Sequence, residues 1–371
     1  MSDNDKKLAS VRAQINALDS EIQQLISTRA RLAFQVAQSK GAQSSAVGYY
    51  RPEREAQVLR GVLERNEGPL SDSEMLRLFR EIMSACLAQQ EPMKIAYLGP
   101  EGTFTQQAVH RHFGHSVLAA GQATIEDVFA QVQGEEADFG VVPIENSTQG
   151  VVTHTLDRFI DADLKICGEV ELRIHHNLLT HSQSLSTLDR VYAHQQSFSQ
   201  CKGWLQRNLP GVELIAVSSN AEAARRVRNA PEAAAIAGLS AAEVYGLPAL
   251  FTDIEDQKDN TTRFLVIGRE LFAPSGNDKS TLLLAGDEGP GLLHALLAPL
   301  AASGINMTRI ESRPSPGGKW EYVFFIDVDG HAAEEPLASA LATMNQLGGK
   351  CRLLGSYPYA VLARLPGETT D

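Results

Sequence analysis

The stretch KDNTTRFLVIG (258–268) places three hydrogen-bonding side chains, Thr261, Thr262 and Arg263, at the start of an apolar run. The run FLVIG predicts a short buried strand, although a loop that turns polar before a strand would look the same locally. Similar runs, such as KIAYLG and AAAIAG, alternate with helical stretches throughout residues 94–272. This alternation predicts an α/β fold for the middle of the chain.

The length predicts two or three domains, and the composition is typical of a globular protein. The chain has 371 residues, of which 43% are hydrophobic and 21% charged. Its net charge of -12 argues against broad binding to nucleic acid, which requires a basic face. No apolar run approaches the roughly 20 residues that span a bilayer, and the N-terminus lacks the apolar core of a signal peptide. We therefore expect a cytoplasmic protein without a membrane partner.

Neither the cysteines nor the histidines predict a metal site. The four cysteines are scattered without a CxxC pair, which also argues against a disulfide framework. Three histidines lie close together in HRHFGH (110–115), but no acidic residue or cysteine is spaced to complete a site. The chain lacks both a P-loop and GxGxxG. The sequence therefore predicts neither a metal nor a cofactor.

Residues 5–90 predict three helices. Apolar side chains recur at spacings of three and four from Leu8 onward, so the first helix should run to about Lys40, some 50 Å. PEREAQVLRGVLERN predicts a second helix with proline in its first turn. Ser71 and Glu74 form a capping-box pattern that starts a third helix. The first helix is too long for a small solitary domain, which favours an extended bundle or a coiled pair.

The apolar seam of the first helix contains a cation, Arg29, and Lys40 continues the same stripe. An unpaired guanidinium there would cost several kcal/mol. It could pair with Glu55 or set a helix register, or it could clamp a small carboxylate ligand. Arg12 flanks the same face 17 residues earlier, roughly 25 Å away along one helix. If both arginines bind one ligand, Arg12 must come from a second chain, and Gln90 could add an amide donor.

The motifs VRAQINALD, TRARLAFQVAQSK and PEREAQVL, with the terminal Gln90, resemble the all-helical chorismate mutases that are fused to bacterial prephenate dehydratases. The resemblance implies a dimer through the long helix. It also implies that a set of polar side chains lines the mutase site: Arg12, Arg29, Lys40, Arg54, Glu55 and Gln90.

The resemblance assigns roles that suit a Claisen rearrangement, which needs a held conformer and stabilisation of charge on the ether oxygen. Arg12 and Arg29 would hold the two carboxylates, and Lys40 would donate with Gln90 to the ether oxygen. Glu55 would position the ring hydroxyl or fix Lys40. Two expected substrate contacts depart from the common pattern, in which Asp and Ser are frequent: Arg51 and Cys86.

Four further motifs, GPEGTF, VPIENSTQG, VYAHQQSFSQC and NTTRF, resemble prephenate dehydratase in the order of that family. The resemblance implies two α/β lobes with the active site in the cleft between them. Thr262 would be the catalytic hydroxyl, oriented by Asn146 and Gln200. Ala193 stands where a serine is common, so that hydroxyl is dispensable or is replaced by Ser197 or by a water. The implied substrate-binding residues are Thr103, Glu145, Ser147, Arg263 and Phe264. Of these, Arg263 suits a substrate carboxylate.

Residues 279–361 read as βαββαβ, the ferredoxin-like plan. GPGLL and ESRP within this segment resemble a phenylalanine-responsive ACT regulatory domain. Taken separately, Gly291 could simply start a helix and Arg313 could be a surface strand residue. The resemblance implies that phenylalanine binds between two such domains, at the effector-binding residues Gly291, Leu292, Leu293, Glu311, Ser312 and Arg313.

The combined expectation is a multidomain, bifunctional enzyme with a chorismate mutase in residues 1–91, a prephenate dehydratase in 93–272 and an ACT domain in 278–362. It would convert chorismate to prephenate and prephenate to phenylpyruvate, under feedback by L-phenylalanine, as a homodimer or larger homo-oligomer. A non-catalytic amino-acid sensor is the alternative. A mutase fused to a dehydrogenase would need a dinucleotide fingerprint, which is missing. Arogenate as a second substrate stays open.

Overall fold

The structure, a computed structural model, describes residues 3–39, 50–89, 91–285, 289–315, 322–346 and 350–361. Three parts follow one another along the chain. We call them the helical segment (3–89), the central segment (91–272) and the C-terminal domain (278–361).

The helical segment contains the three predicted helices, α1 (Asp3–Ser39), α2 (Pro52–Glu64) and α3 (Asp72–Ala88). The capping box is formed, since the Ser71 hydroxyl accepts from the Glu74 N–H at 3.3 Å and the Glu74 carboxylate accepts from the Ser71 N–H at 3.4 Å. α3 packs against both other helices.

The apolar stripe of α1 remains on the surface of the single chain. Its ten large hydrophobic side chains are between 38% and 62% exposed. Such a long exposed stripe is typical of a helix that is covered by another chain. The residues are Leu8, Val11, Ile15, Leu18, Ile22, Leu25, Ile26, Leu32, Phe34 and Val36.

The central segment folds into two α/β lobes, as predicted. The first lobe has the strand order β2-β1-β3-β11-β5, with β4 paired to β3. β1 lies parallel to β2 and β3, whereas β11 is antiparallel to both β3 and β5. The strands are β1 (Lys94–Leu98), β2 (Leu118–Gln122), β3 (Phe139–Asn146), β4 (Gly150–Val151), β5 (Lys165–Arg173) and β11 (Thr261–Gly268), and the helices are α4 (Phe104–Phe113), α5 (Ile125–Gln133) and α6 (Thr153–Asp161).

The second lobe has the strand order β10-β6-β9-β7-β8, and the three strands β9, β7 and β8 at one side of the sheet are parallel. The chain enters this lobe directly after β5, at the predicted crossing EVELRIHHNLL, and returns to the first lobe as β11. The strands are β6 (Asn177–Leu179), β7 (Arg190–His194), β8 (Glu213–Val217), β9 (Ala233–Ala237) and β10 (Ala249–Phe251), and the helices are α7 (Gln195–Gln200), α8 (Lys202–Asn208), α9 (Asn220–Val227) and α10 (Leu239–Tyr245).

The C-terminal domain has the predicted βαββαβ order. Its antiparallel sheet has the strand order β13-β14-β12-β15, and both helices pack on one face. The elements are β12 (Asp278–Ala285), α11 (Leu292–Ala302), β13 (Met307–Pro314), β14 (Tyr322–Asp329), α12 (Leu337–Gln346) and β15 (Lys350–Pro358).

The other face of this sheet shares a hydrophobic core with the first lobe. Ile166 and Leu265 of the first lobe pack in one cluster with Phe325 and Leu354 of the C-terminal domain. The two domains are therefore joined by a continuous core rather than by a linker alone. None of the described helices is both long enough and apolar enough to cross a membrane.

We expect Gly355→Ala to weaken the contact between the C-terminal domain and the first lobe. A Cβ at position 355 would overlap the carbonyl oxygen of Ile166, a backbone atom that cannot rotate away. The expected loss is about 1–3 kcal/mol, measured by chemical unfolding of the full chain. Gly289→Ala is the control, because a Cβ at position 289 meets no atom within 4 Å. Equal stability of the two variants would contradict the close packing.

Candidate active site

A cleft of about 530 Å³ lies between the two lobes. It is lined by residues at the carboxyl ends of parallel strands in both sheets, including Leu98, Asn146, His194 and Gly238. The carboxyl edge of parallel strands is the usual ligand-binding edge of an α/β sheet. Because β11 runs antiparallel to β3, its first residues reach the same edge and bring Thr262 into the cleft.

The Thr262 hydroxyl is held by an amide. The Asn146 Nδ2 donates to the Thr262 Oγ1 at 2.8 Å and to the Asn260 Oδ1 at 2.8 Å. Thr262 and Asn146 are directly opposite in the β3–β11 ladder, which explains why the two side chains meet. The predicted pairing of a threonine with an asparagine is present in the structure.

Gln200, the third predicted catalytic residue, also lines the cleft. Its Nε2 donates to the Thr148 Oγ1 at 3.1 Å, and Thr148 donates to the Asn146 Oδ1 at 2.7 Å. The Gln200 Oε1 lies 2.7 Å from the Nε2 of His176. Thr262, Asn146, Thr148, Gln200 and His176 thus form one hydrogen-bonded network that spans both lobes.

The cleft offers neutral donors to an anion. Thr103 caps α4 and Ser219 caps α9, so helix N-termini from both lobes face the same space. Helix N-termini attract anions through their unpaired N–H groups. The Asn260 Nδ2 is buried and has no hydrogen-bond partner among the described residues. Among the described residues that line the cleft, none is a lysine or an arginine.

Arg263 is not in the cleft, which corrects the expectation that it binds a substrate carboxylate. Successive side chains of a strand point to opposite faces, so Thr262 and Phe264 face the cleft side while Arg263 faces the C-terminal domain. Its guanidinium bonds to Glu169 at 2.9 Å, Asp327 at 2.6 Å and the Tyr357 hydroxyl at 3.0 Å.

Arg263 belongs to a buried charge cluster that we define as Glu169, Arg263, Lys279 and Asp327. Two members come from the first lobe and two from the C-terminal domain, and Lys279 contacts Glu169 at 2.8 Å. The two cations balance the two anions, and each side chain is at most 12% exposed. Although burial lowers the pKa of Arg263, the facing Tyr357, Asp327 and Glu169 hold that pKa well above its usual value.

Two further expected substrate contacts also lie outside the cleft lining. Glu145 precedes Asn146 on β3 and therefore faces the other side, where it pairs with Arg309 of the C-terminal domain at 2.9 Å. Ser147 is exposed, and its hydroxyl accepts from the Thr261 N–H at 2.9 Å. Glu145 is a link between domains, and Ser147 stabilises the turn after β3.

The other residues that the sequence placed in this site lie in the cleft lining or next to it. Thr103 and Phe264 line the cleft. Ala193 is fully buried in β7, and Ser197 lines the cleft with its hydroxyl 2.8 Å from the Asn220 Nδ2.

The predicted residues of the helical segment differ in their exposure. Arg12 and Arg54 are exposed, and Arg29 is partly buried on α1. Glu55 lies 3.6 Å from Arg80, which is its cationic neighbour in the single chain.

The two residues that depart from the mutase pattern, Arg51 and Cys86, lie in different environments. Arg51 is exposed just before α2, and its carbonyl accepts from the Glu55 N–H at 2.9 Å. Cys86 is buried on α3. Lys40 and Gln90 lie outside the described residues.

The predicted effector residues lie on two elements of the C-terminal domain. Gly291 precedes α11 with φ 84°, a conformation that favours glycine, and Leu292 and Leu293 follow it. On β13, Ser312 is exposed whereas Glu311 and Arg313 face inward. Arg313 bonds to both carboxylate oxygens of Asp157 on α6 at 2.9 Å. Arg313 therefore contacts the first lobe, not a surface ligand.

The histidines of HRHFGH do not share one site. His110 and His115 stack with ring centroids 4.4 Å apart, and His112 bonds to the Tyr50 hydroxyl at 2.8 Å. Within the described parts of the chain, the only cluster of three potential metal ligands is His175, Asp253 and Glu255. There the histidine is paired with both carboxylates, at 2.7 and 3.1 Å.

Among the residues that sequence reasoning missed are three that line the cleft, Phe104, His176 and Asn260, and also Thr148, which accepts a hydrogen bond from Gln200. Asn260 stands two residues before Thr262, so the two-residue period of a strand could have placed both on one face. His176 stands at the crossing between the lobes, where a buried histidine has no local pattern to identify it.

Each of the three parts matches a known family. Residues 11–91 match chorismate mutase type II, residues 95–271 match prephenate dehydratase, and residues 280–344 match the ACT domain. A bifunctional chorismate mutase/prephenate dehydratase from Pseudomonas aeruginosa is 50% identical over 366 residues, which cover 98% of this chain and 100% of the relative.

Solved structures resemble the central segment together with the C-terminal domain. A prephenate dehydratase from Arthrobacter aurescens in complex with L-Phe is 35% identical, with a TM-score of 0.66, and covers 71% of this chain and 89% of its own. A protein described as a quorum quenching acylase, GqqA, is 31% identical at a TM-score of 0.66, and covers 73% of this chain and 100% of its own. Since one fold carries two named activities, the activity has to be argued from the cleft.

We expect Arg263→Met to destabilise the chain by about 3–5 kcal/mol, because it leaves Glu169 and Asp327 buried with one cation between them. Chemical unfolding of the full chain measures the loss. The matched control is Arg190→Met, which removes an exposed arginine paired with Asp189 and should change stability far less. If both variants lost the same small amount, the charge cluster would not hold the two domains together.

Proposed function

Because the chain belongs to the family of bifunctional chorismate mutase/prephenate dehydratases, it carries both enzyme activities, and we propose how its residues divide the work. The helical segment rearranges chorismate to prephenate. The central segment converts prephenate to phenylpyruvate in the cleft. The C-terminal ACT domain lowers dehydratase activity when it binds L-phenylalanine, and the enzyme acts as a cytoplasmic homodimer without a cofactor.

The single observation that carries the dehydratase assignment is the hydrogen bond between Asn146 and Thr262 inside the cleft. The Thr262 oxygen accepts from the amide, so its own proton is free to point towards a ligand. In prephenate, the ring carboxylate leaves as carbon dioxide, its bonding electrons aromatise the ring, and the ring hydroxyl is expelled. Thr262 donates to that departing oxygen and makes it a better leaving group.

Neutral donors bind the substrate anions in this proposal. The N-termini of α4 and α9 approach the cleft from opposite lobes, capped by Thr103 and Ser219. The unpartnered Asn260 Nδ2 supplies a further N–H. Phe104 and Phe264 provide apolar walls for the ring. A dianion held between two helix N-termini is stabilised by both dipoles at once.

The mutase site requires side chains from two chains. Arg12 and Arg29 lie on one helix, roughly 25 Å apart at 1.5 Å per residue. The exposed apolar stripe of α1 supports pairing with the same helix of a second copy. Arg29, Lys40, Arg54, Glu55 and Gln90 of one chain and Arg12 of its partner would then hold chorismate and stabilise the charge on its ether oxygen.

The effector proposal rests on the ACT domain and on its contacts with the first lobe. L-phenylalanine binds near Gly291 and Ser312, and the Arthrobacter relative is known in complex with this amino acid. Arg309 and Arg313 pair with Glu145 and Asp157 of the first lobe. A change in the position of β13 would therefore act on β3 directly, because Glu145 precedes the catalytic Asn146.

Thr262→Val should reduce dehydratase turnover by roughly 10²–10⁴-fold, because it removes the donor hydroxyl and keeps the shape of the side chain. Thr262→Ser keeps the hydroxyl and should retain most of the activity. Phenylpyruvate formation from prephenate measures the effect, and chorismate consumption by the same sample is the internal control. A valine variant with normal turnover would refute the assignment.

The shared mutase site can be tested by complementation. Arg12→Ala and Arg29→Ala each remove one carboxylate clamp, so each homodimer should be inactive. When the two chains are coexpressed in equal amounts, half of the dimers are mixed and each contains one intact site, which gives about a quarter of wild-type mutase activity. If the mixture stayed inactive while dimers formed, both arginines would belong to one chain.

A further inference from the structure

His176 lies at the crossing between the lobes and is 1% exposed. Its Nε2 is 2.7 Å from the Gln200 Oε1, and its ring stands edge-on to Phe104 with centroids 5.9 Å apart. The Nδ1 of this ring has no hydrogen-bond partner within the described residues. The inference that follows rests on the proposed dehydratase function of the cleft.

The Asn146 carboxamide determines which groups donate and which accept in the polar network. Its Oδ1 accepts from the backbone N–H groups of Thr148 at 3.1 Å and Gln149 at 3.2 Å. Backbone N–H groups only donate, so the carboxamide cannot be turned over. Its Nδ2 must therefore face Thr262 and act as the donor to that hydroxyl.

The donor and acceptor roles of Thr148 and Gln200 follow from the orientation of Asn146. The Thr148 hydroxyl lies 2.7 Å from the Asn146 Oδ1, which only accepts, so Thr148 must donate to it. The remaining lone pairs of Thr148 then accept from the Gln200 Nε2 at 3.1 Å. With its Nε2 committed to Thr148, Gln200 turns its Oε1 towards His176, and the histidine must carry its proton on Nε2.

We propose that His176 is a positioning residue for the dehydration, because it starts a chain of four hydrogen bonds that all point in one direction and end at Thr262. The sequence of donors is His176, Gln200, Thr148 and Asn146. Since the oxygen of Thr262 accepts from Asn146, its own proton is free to point into the cleft. The chain also links the second lobe to the first, which holds Gln200 and Thr262 in register.

The neutral state of His176 agrees with this role. Burial is the largest influence on its pKa and lowers it, while the hydrogen bond to Gln200 and the charge of Glu255 raise it. A neutral imidazole protonated on Nε2 leaves the buried Nδ1 as a bare acceptor. The ring therefore donates a single hydrogen bond, which holds the Gln200 amide in the orientation that Thr148 and Asn146 require.

The test compares two substitutions at position 176. His176→Gln offers an amide N–H of similar reach, whereas His176→Leu removes the donor and keeps an apolar side chain. We expect His176→Leu to lower dehydratase kcat by roughly 10²-fold with little change in KM, and His176→Gln to recover most of that loss. The mutase activity of the same samples should be unchanged. His175→Leu is the matched control, because that ring faces Asp253 and Glu255.

A spectroscopic measurement separates this inference from the proposed function itself. In the wild-type chain labelled with ¹⁵N-histidine, the ring shifts of His176 should identify the Nε2–H form at neutral pH, and Gln200→Ala should abolish the preference. An Nδ1–H form, or equal dehydratase losses in the leucine and glutamine variants, would overturn the role of His176. A wild-type chain that left prephenate unconverted, yet showed the Nε2–H form, would overturn the proposed function and leave the orientation of the network intact.

Discussion

The antiparallel pairing of β3 with β11 is the constraint on which the active cleft and its regulation both depend. Two cross-strand pairs stand side by side in this ladder, Asn146 with Thr262 and Glu145 with Arg263. Because side chains alternate between faces, the first pair enters the cleft and the second faces the C-terminal domain. The Thr262 hydroxyl, for which we propose the catalytic role, is therefore one residue away from the charges that contact the C-terminal domain, and a shift of either strand would move both pairs.

The buried charge cluster fixes the first lobe and the C-terminal domain relative to each other. Without the C-terminal domain, Arg263 would lose Asp327 and Glu169 would lose Lys279, and the remaining pair of Arg263 with Glu169 would be uncovered on the first lobe. The C-terminal domain therefore contributes two of the four charges of the cluster. Removing the whole domain would disturb the active strand as well as the effector response, so point substitutions within the full chain separate the two effects better than truncation does.

The sequence predicted the elements well because their signals are local. The capping box at Ser71, the βαββαβ order and the strand that begins near Thr262 all follow from neighbouring residues. The role of Arg263 was predicted wrongly, since its motif does not say which face of the sheet meets the ligand. That choice depends on the position of β14, which carries Asp327 and is distant in sequence. His176 was missed for the same reason: Gln200, its partner, is supplied by the tertiary fold.

The placement of Arg263 outside the cleft suits the chemistry proposed for the cleft. Prephenate must lose its ring carboxylate as neutral carbon dioxide, so negative charge leaves that group as the reaction proceeds. A guanidinium on this carboxylate would stabilise the ground state more than the transition state and would slow the step. Arg263 faces away from the cleft, where it serves the domain contact. In the proposed mechanism, helix N-termini and amides bind the substrate, and Thr262 donates to the departing oxygen.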